Sequence, residues 1–358
     1  MPPCHTLKGI RMINCAYIGF GKSATRYHLP YVLCRKDKYN VKRIYDIARK
    51  PEVEAQPHYQ HICFTSRLQD ILEDNTLQLV VICTHPDSHF EYARLCLAHG
   101  KNVLVEKPFT TTPEEAKTLF ALAREKGLTV SPFQNRRFDS CYLTMKQAIE
   151  SGKLGEIVEI ESHFDYFRPA SETCPGSYFD GAFYGLGVHT LDQIIALLGR
   201  PQQVGYHLQR QRNPLNPDDA FTVHLYYPKT TAIVKTSHLV KIPAPRFTVH
   251  GTRGSFIRYG IDQQETSLKA GIMPGHPGFG EDSECAVLEY IDDAGCSVRE
   301  ELSAVPGDYG RVYDALYDTL SSGKANYVSE HEALTNLDIL QKAFQQPTPA
   351  IVSLEEEA

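Results

Sequence analysis

The hydrophobic pattern of the chain changes period near residue 133. Before that point, short strand-like runs alternate with segments of helical period. The runs are Ile13–Ile18, Val41–Tyr45, Leu79–Cys83, Val103–Val105 and Thr129–Ser131. All five are read as strands, and the wholly apolar Leu79–Cys83 and Val103–Val105 predict strands buried inside a parallel sheet. Between them, helices are predicted from near Lys22, over Ser66–Glu73, over Phe90–His99 and from Pro113 to a stop at Gly127. Thr112-Pro113-Glu114-Glu115 combines a capping box with proline at the first helical position. Strands alternating with helices over residues 12–133 predict an α/β domain with a doubly wound parallel sheet.

Beyond Asn135-Arg136-Arg137-Phe138 a single helix, Cys141–Glu150, precedes long runs that alternate apolar and polar residues. These are Glu156–Phe167, Gln203–Gln211, Ala220–Tyr227, Thr231–Val240, Phe247–His250 and Ser255–Tyr259. Period-two strands with few covering helices predict an α+β C-terminal domain, residues 134–345, with a large, open, mostly antiparallel sheet. The glycine- and proline-rich loop Lys269–Ser283 is expected to border a site, and helices are expected over Gly310–Ser321 and Glu330–Gln345. Residues 1–11 and 346–358 read as tails. A sheet face left bare by its own chain calls for a second copy, so a homodimer or homotetramer through that sheet is expected.

Composition narrows the class of function. Of 358 residues, 42% are hydrophobic and 22% charged, and the formal charge is −6, which gives no electrostatic basis for binding nucleic acid or an anionic membrane. No apolar run approaches the roughly 18 residues of a membrane span, and the N-terminal residues lack the apolar core of a signal peptide, so a cytoplasmic location is expected. The ten cysteines include no C-x-x-C pair and read as reduced thiols. His85 and His89 have helical spacing but no third ligand in view, so no metal site is expected.

Three stretches carry chemistry. Gly19-Phe20-Gly21-Lys22-Ser23-Ala24 follows the first strand and opens a helix, a G-x-G-x-x-A form of the dinucleotide fingerprint. The first glycine turns the chain, the second admits a pyrophosphate, and the helix start directs N–H groups at it. Asp46 ends the second strand, 25 residues past Gly21, where an acid accepts hydrogen bonds from the ribose diol. That placement favours NAD over NADP, while Arg49 and Lys50 oppose the preference; a turn-forming aspartate fits the same position. The second stretch, Glu106-Lys107-Pro108, leaves the carboxyl end of a buried strand, where ligands bind in open α/β sheets. Lys107 there can hydrogen-bond a substrate oxygen, or simply end the strand in solvent. In the third, Asp180 to Asp192, a glycine-spaced turn leads into the apolar helix Leu191–Leu198. His189 and Asp192 share a face near the expected helix start, where a histidine is held neutral. A capping or core-edge histidine fits this position too.

Together, G-x-G-x-x-A, the acid at the second strand's end, E-K-P and G-x-G-x-H-x-x-D resemble the glucose–fructose oxidoreductase / inositol dehydrogenase (Gfo/Idh/MocA) family over residues 12–345, including the G-T-x-G turn at 251–254. The resemblance implies an N-terminal Rossmann domain, a C-terminal sheet used for oligomerisation, and NAD(P)-dependent hydride transfer on a sugar, polyol or related small molecule. It implies Lys107 as active-site lysine, with a cis Lys107-Pro108 bond allowed, and His189 as acid/base. Gly19, Phe20, Gly21, Lys22, Ser23, Asp46, Thr84, His85, His89, Glu106 and Lys107 would line the cofactor. Asn135, Arg136, Phe138, Asp165, Arg168, Tyr184 and Asp192 are expected on the substrate side. One departure stands out: the family pattern places an aspartate four residues before the histidine, and this chain has Gly185. That loss favours the alternative of a non-catalytic NAD(P)-binding regulator, whereas retention of Lys107 and His189 favours an enzyme.

Overall fold

The computed structural model describes residues 12–354. They divide into two compact units. The first comprises the chain up to Asn135 with Gly271–Pro277 and Tyr309–Leu337; the second comprises Arg136–Ala270, Gly278–Asp308 and the chain from Asp338. The chain thus re-enters the first unit twice after residue 135.

In the first unit, β1 (Ile13–Ile18), β2 (Tyr39–Tyr45), β3 (Cys63–Thr65), β4 (Leu79–Ile82), β5 (Asn102–Val105) and β6 (Val130–Pro132) form one sheet in the order β3-β2-β1-β4-β5-β6. Every pairing is parallel, which is the doubly wound order of a Rossmann domain. Central β4 and β5 are buried at every position, as their unbroken apolar runs require. Ile18, Val80, Ile82, Val103 and Val105 pack with Ala93, Leu97, Ala116 and Leu119 from helices His89–Ala98 and Pro113–Lys126. Each fully buried valine or leucine of this kind contributes about 1.5–3 kcal/mol. At the start of Pro113–Lys126, Thr112 Oγ1 accepts the Glu115 N–H, but the Glu115 carboxylate accepts the N–H of Thr111, one residue earlier than the expected capping box. Gly127 ends the helix at φ 66°.

The returning segment Tyr309–Leu337 supplies the helix Arg311–Ser322. Tyr313 enters the sheet's other face, where its hydroxyl lies 2.8 Å from Tyr17 Oη and 2.7 Å from His28 Nδ1, all three residues being fully buried. Tyr39 donates to the Tyr313 carbonyl at 2.7 Å.

In the second unit, β7 (Ile157–His163), β8 (Gln203–Gln209), β9 (Ala220–Tyr226), β10 (Thr231–Ser237), β11 (Phe247–Gly251), β12 (Gly254–Arg258), β13 (Ala286–Ile291), β14 (Ser297–Leu302) and β15 (Ala350–Ser353) form a nine-stranded sheet. Its order is β14-β13-β12-β11-β7-β10-β9-β8-β15, antiparallel except for the parallel β7·β10 pair. Burial alternates along β10 and most of β9. Ile160, Val223, Val234, Val249 and Phe256 face Met145, Leu191, Ile194 and Ile195 from the helices Ser140–Glu150 and Val188–Leu198. The opposite face carries Glu159, Glu161, Thr222, Ile233, Lys235 and Thr248, all half-buried. Residues 350–353 were read as part of a tail; instead they pair with β8 as the edge strand. The loop expected at Lys269–Ser283 follows a short helix, Gln264–Lys269.

Removing the Tyr313 hydroxyl orphans polar atoms on both Tyr17 and His28. Tyr313→Phe is expected to cost about 2 kcal/mol, measured by urea unfolding; an unchanged midpoint would show that the hydroxyl does not anchor the returning helix.

Candidate functional site

The glycine loop of the first unit is shaped by contacts that demand glycine. Gly19 has φ +98°, and a Cβ there would lie 2.6 Å from the Cys83 carbonyl oxygen at the end of β4. Thr84 Cγ2 borders the same position. At Gly21, by contrast, a Cβ would meet nothing within 4 Å, so the backbone faces open space. The helix over residues 22–32 then begins, with no acidic residue in its first turn. Open backbone before an uncapped, acid-free helix start fits a dinucleotide pyrophosphate. Lys22 is exposed and Ser23 half-buried. The Phe20 ring is buried against Tyr59 and Phe64, so Phe20 anchors the loop to the interior.

Asp46 follows β2 as expected. Its Oδ2 accepts the Phe20 N–H and the Lys50 ammonium, each at 2.8 Å, and its Oδ1 accepts the Ala48 N–H at 3.0 Å. Partial burial pushes the carboxyl upward, but Lys50 and the two N–H donors outweigh it and hold the group below its ordinary range.

Glu106 is the most constrained group of this unit. It is 7% exposed; its Oε1 accepts the Ser23 hydroxyl and lies 3.1 Å from His28 Nε2, while Oε2 accepts the Lys107 N–H at 2.8 Å. Burial alone would raise its carboxyl, yet His28, Lys107 and Ser23 bring it down to about 2. The fingerprint helix reaches Glu106 through a π-helical turn, Ala24–His28, in which the Leu29 N–H bonds the Ala24 carbonyl. Such turns recur at functional sites. His28 stacks on Phe133 at 3.8 Å between centroids. Half-buried Lys107 thus leaves β5 from a carboxylate tied to the fingerprint helix, through a cis bond to Pro108.

His85 and His89 diverge. The His89 ring is buried, Nδ1 2.8 Å from the Pro108 carbonyl and Nε2 3.1 Å from that of Thr84. It ties the two strand-end loops together and turns its ring nitrogens to backbone. Burial pushes its pKa down. His85 is exposed and faces Asp87 at 3.0 Å. Among the described residues no group of three or more His, Cys, Asp or Glu could hold a metal ion.

In the second unit, the glycine-spaced stretch is helical from Ala182, with a second π-helical turn over Phe183–Gly187 running into Val188–Leu198. Asp218 caps it, its Oδ2 accepting the Phe183 N–H at 2.7 Å. Gly181 is required there, since a Cβ would lie 2.0 Å from Asp218 Oδ1. Burial pushes the Asp218 carboxyl up to about 6. His189, 6% exposed, therefore sits about two turns into its helix rather than at its start. A dipole effect confined to the first turn does not reach it.

Asp192 is 2% exposed and receives Arg137 in a bidentate pair, Nε at 2.7 Å and Nη2 at 2.8 Å. Next to it, the Gln193 amide donates to the Arg136 carbonyl at 2.6 Å and accepts from Arg246 at 2.8 Å. Arg136 itself binds Glu265 at 2.6 Å and lies over the Phe164 ring. Asn135 is buried in the same turn, Asn135–Phe138, and the Phe138 carbonyl accepts the Asp308 N–H.

Three further residues expected on the substrate side, Asp165, Arg168 and Tyr184, have partners of their own. Ser162 reaches Arg246 on the helix-bearing face and Phe164 meets the Arg246 guanidinium, but Asp165 alternates to the other face. There it accepts the Ser237 N–H and lies 3.2 Å from His163. Arg168 is exposed and stacks on Tyr166. Tyr184 is buried among Tyr178, Phe179 and Phe344. His28, Arg137, Gln193 and Asp218 were not singled out from sequence. Only Arg137 carried a signal, its place in the Asn-Arg-Arg-Phe turn.

A parallel sheet in Rossmann order, an open glycine loop and a lysine at a strand end define a dinucleotide-dependent oxidoreductase scaffold. Residues 13–134 match the family described as oxidoreductase family, NAD-binding Rossmann fold, and residues 146–348 match its C-terminal alpha/beta domain. The chain belongs to the Gfo/Idh/MocA oxidoreductase family. It is 64% identical to the uncharacterized oxidoreductase YhhX of Escherichia coli over 343 residues, 96% of this chain and 99% of that protein. The crystal structure of yhhX superposes with a TM-score of 0.95, covering 96% of this chain and 100% of that one. An oxidoreductase structure from Bacillus cereus, 46% identical, gives 0.94 over 97% and 99% of the two chains. The scyllo-inositol 2-dehydrogenase (NADP(+)) IolW of Bacillus subtilis is 31% identical over 346 residues, covering 95% and 96%. Among the described residues no helix is long and apolar enough to cross a membrane.

The depressed Glu106 carboxyl has a pH consequence. A carboxylate held below its unfolded value adds stability above the ordinary range near 4.5 and loses it as pH falls toward about 2. His28→Leu leaves that charge buried with one partner fewer, a loss of about 3 kcal/mol at neutral pH. Urea unfolding at pH 7 should show the loss, and acid unfolding followed by circular dichroism should begin at higher pH than in wild type. An unmoved acid midpoint would refute the role given to His28.

Proposed function

We propose that this chain is an NAD(P)-dependent oxidoreductase that transfers hydride between the nicotinamide and a secondary alcohol or carbonyl of a polyol, sugar or related small molecule. The observation carrying this reading is the Glu106 staple, which joins the helix that would hold the pyrophosphate to the strand end that delivers Lys107. The name of IolW, an inositol dehydrogenase using NADP(+), supports the substrate class.

Gly19, Gly21, Ser23, Asp46 and Thr84 would hold the cofactor. The bound nicotinamide supplies the hydride acceptor, or in reverse the donor. Lys107 donates a hydrogen bond to the substrate oxygen and stabilises the negative charge that builds there as the C–H electron pair departs. His189 takes the hydroxyl proton, and returns it in the reverse direction. Arg137 and Gln193 fix the helix that carries His189. The bare face of the nine-stranded sheet would be covered by a second copy of the chain.

The test is a panel of polyols, sugars and sugar acids, each offered with NAD+ and with NADP+, followed by absorbance of the reduced cofactor. On the substrate so identified, Lys107→Ala is expected to lower kcat by about 100-fold or more. A variant within about tenfold of wild type would remove Lys107 from the chemistry. Silence across the panel together with tight nucleotide binding would instead favour a nucleotide-sensing regulator, the reading to which Gly185 lends weight.

A further inference from the structure

The adenosine end of the first unit carries an arrangement that bears on which dinucleotide it takes, an inference that rests on the cofactor binding just proposed. In an NAD-selective Rossmann site, the acid after the second strand accepts the ribose diol and repels a 2′-phosphate. Here Asp46 is spoken for. Its Oδ2 is shared between the Phe20 N–H and the Lys50 ammonium, and its Oδ1 takes the Ala48 N–H.

Lys50 also donates to the Phe20 carbonyl at 2.7 Å, so its ammonium spans from the acid onto the glycine loop itself. The lysine side chain is 39% exposed and the aspartate side chain 15%. The group this corner turns to solvent is therefore the cation, and the carboxylate beneath it is charge-compensated. Neighbouring Arg49 is 48% exposed but committed to Glu54 through three short contacts. With its lysine side exposed, the pair is weaker than a fully buried one, so a dianionic phosphate can share the ammonium. A lysine can serve as a point-charge ligand for phosphate.

We propose that the adenosine-ribose end accepts a 2′-phosphate, with Lys50 as its ligand, so that the chain binds NADP(H) at least as well as NAD(H). Asp46 then acts as the counter-ion that positions the lysine rather than as the residue that selects NAD.

The full chain is titrated with NADPH and with NADH by the change in cofactor fluorescence, and bound NADPH is then displaced with 2′,5′-ADP or 5′-AMP. The expected results are an NADPH Kd equal to or below that for NADH, and stronger displacement by 2′,5′-ADP. Lys50→Met should raise the NADPH-to-NADH Kd ratio by about tenfold or more, and Lys50→Arg should return it to within about threefold of wild type. NADPH binding weaker than NADH in the wild type would overturn the inference and leave the proposed function standing. A Lys50→Met variant in which both affinities fall together would also overturn it, because the lysine would then only brace the loop. Binding of neither nucleotide would overturn the proposed function itself.

Discussion

A carboxylate buried at the end of a central strand is the constraint around which the first unit is built. Withdrawing Glu106 from water carries a penalty of several kcal/mol unless its oxygens are satisfied. The satisfaction comes from two places distant in sequence: Ser23 and His28 on the fingerprint helix, and the backbone N–H of Lys107. Each partner is useful only where it stands, so the glycine loop, the helix behind it and the exit of β5 form one rigid assembly. His28 extends this outward, since its second nitrogen meets Tyr313 and Tyr313 meets Tyr17. The helix that returns late in the chain is thereby registered against the sheet by the same polar chain that fixes the lysine.

The second unit solves a similar problem with different residues. Its site helix is entered through a buried acid, Asp218, and clamped one turn past His189 by Arg137 on Asp192 and by Arg136 and Arg246 on Gln193. Both motif helices also contain a five-residue π-helical turn, Ala24–His28 and Phe183–Gly187. An extra residue per turn changes which side chains share a face with those downstream. His28 closes the first such turn, and His189 follows the second by two positions. The glycine-spaced motif thus contributes more than close approach, because it precedes a local change of helical phase in the first helix and contains one in the second.

Much of this was legible in the chain and some was not, for definite reasons. Apolar runs marked β4 and the core of β5, and period-two alternation marked β7 to β12, because burial on two faces and on one leave different signatures. Strands β13 to β15 escaped notice; β14 pairs on one side only and is half-exposed or exposed along its length, so little apolar periodicity survives there. The placement of Asp165 was legible as well. Ile160 and Phe164 share a parity that Asp165 does not, which already assigned it to the opposite face. The roles of His28 and Asp218 could not be read, since each depends on a partner 78 or 35 residues away, brought close only by the fold. The helix start at Ala182 was hidden by glycines, which suggest a turn yet here sit in helical backbone.

The five residues Gly19 to Ser23 are held at both ends, and unequally. At one end Asp46 and Lys50 grip the backbone of Phe20 from a partly exposed position; at the other, Glu106 grips Ser23 from the interior. Exposed pairs contribute about 0–1 kcal/mol, whereas breaking a buried pair costs about 3–5 kcal/mol. The stiffness of the loop therefore comes from the Glu106 side, and the residues nearest the adenosine end can change partner without loosening the strand exit that carries Lys107. On the proposed reading, selectivity for the cofactor and positioning of Lys107 are attached to the same short loop but draw on interactions of different strength, so the first could vary while the second stays fixed.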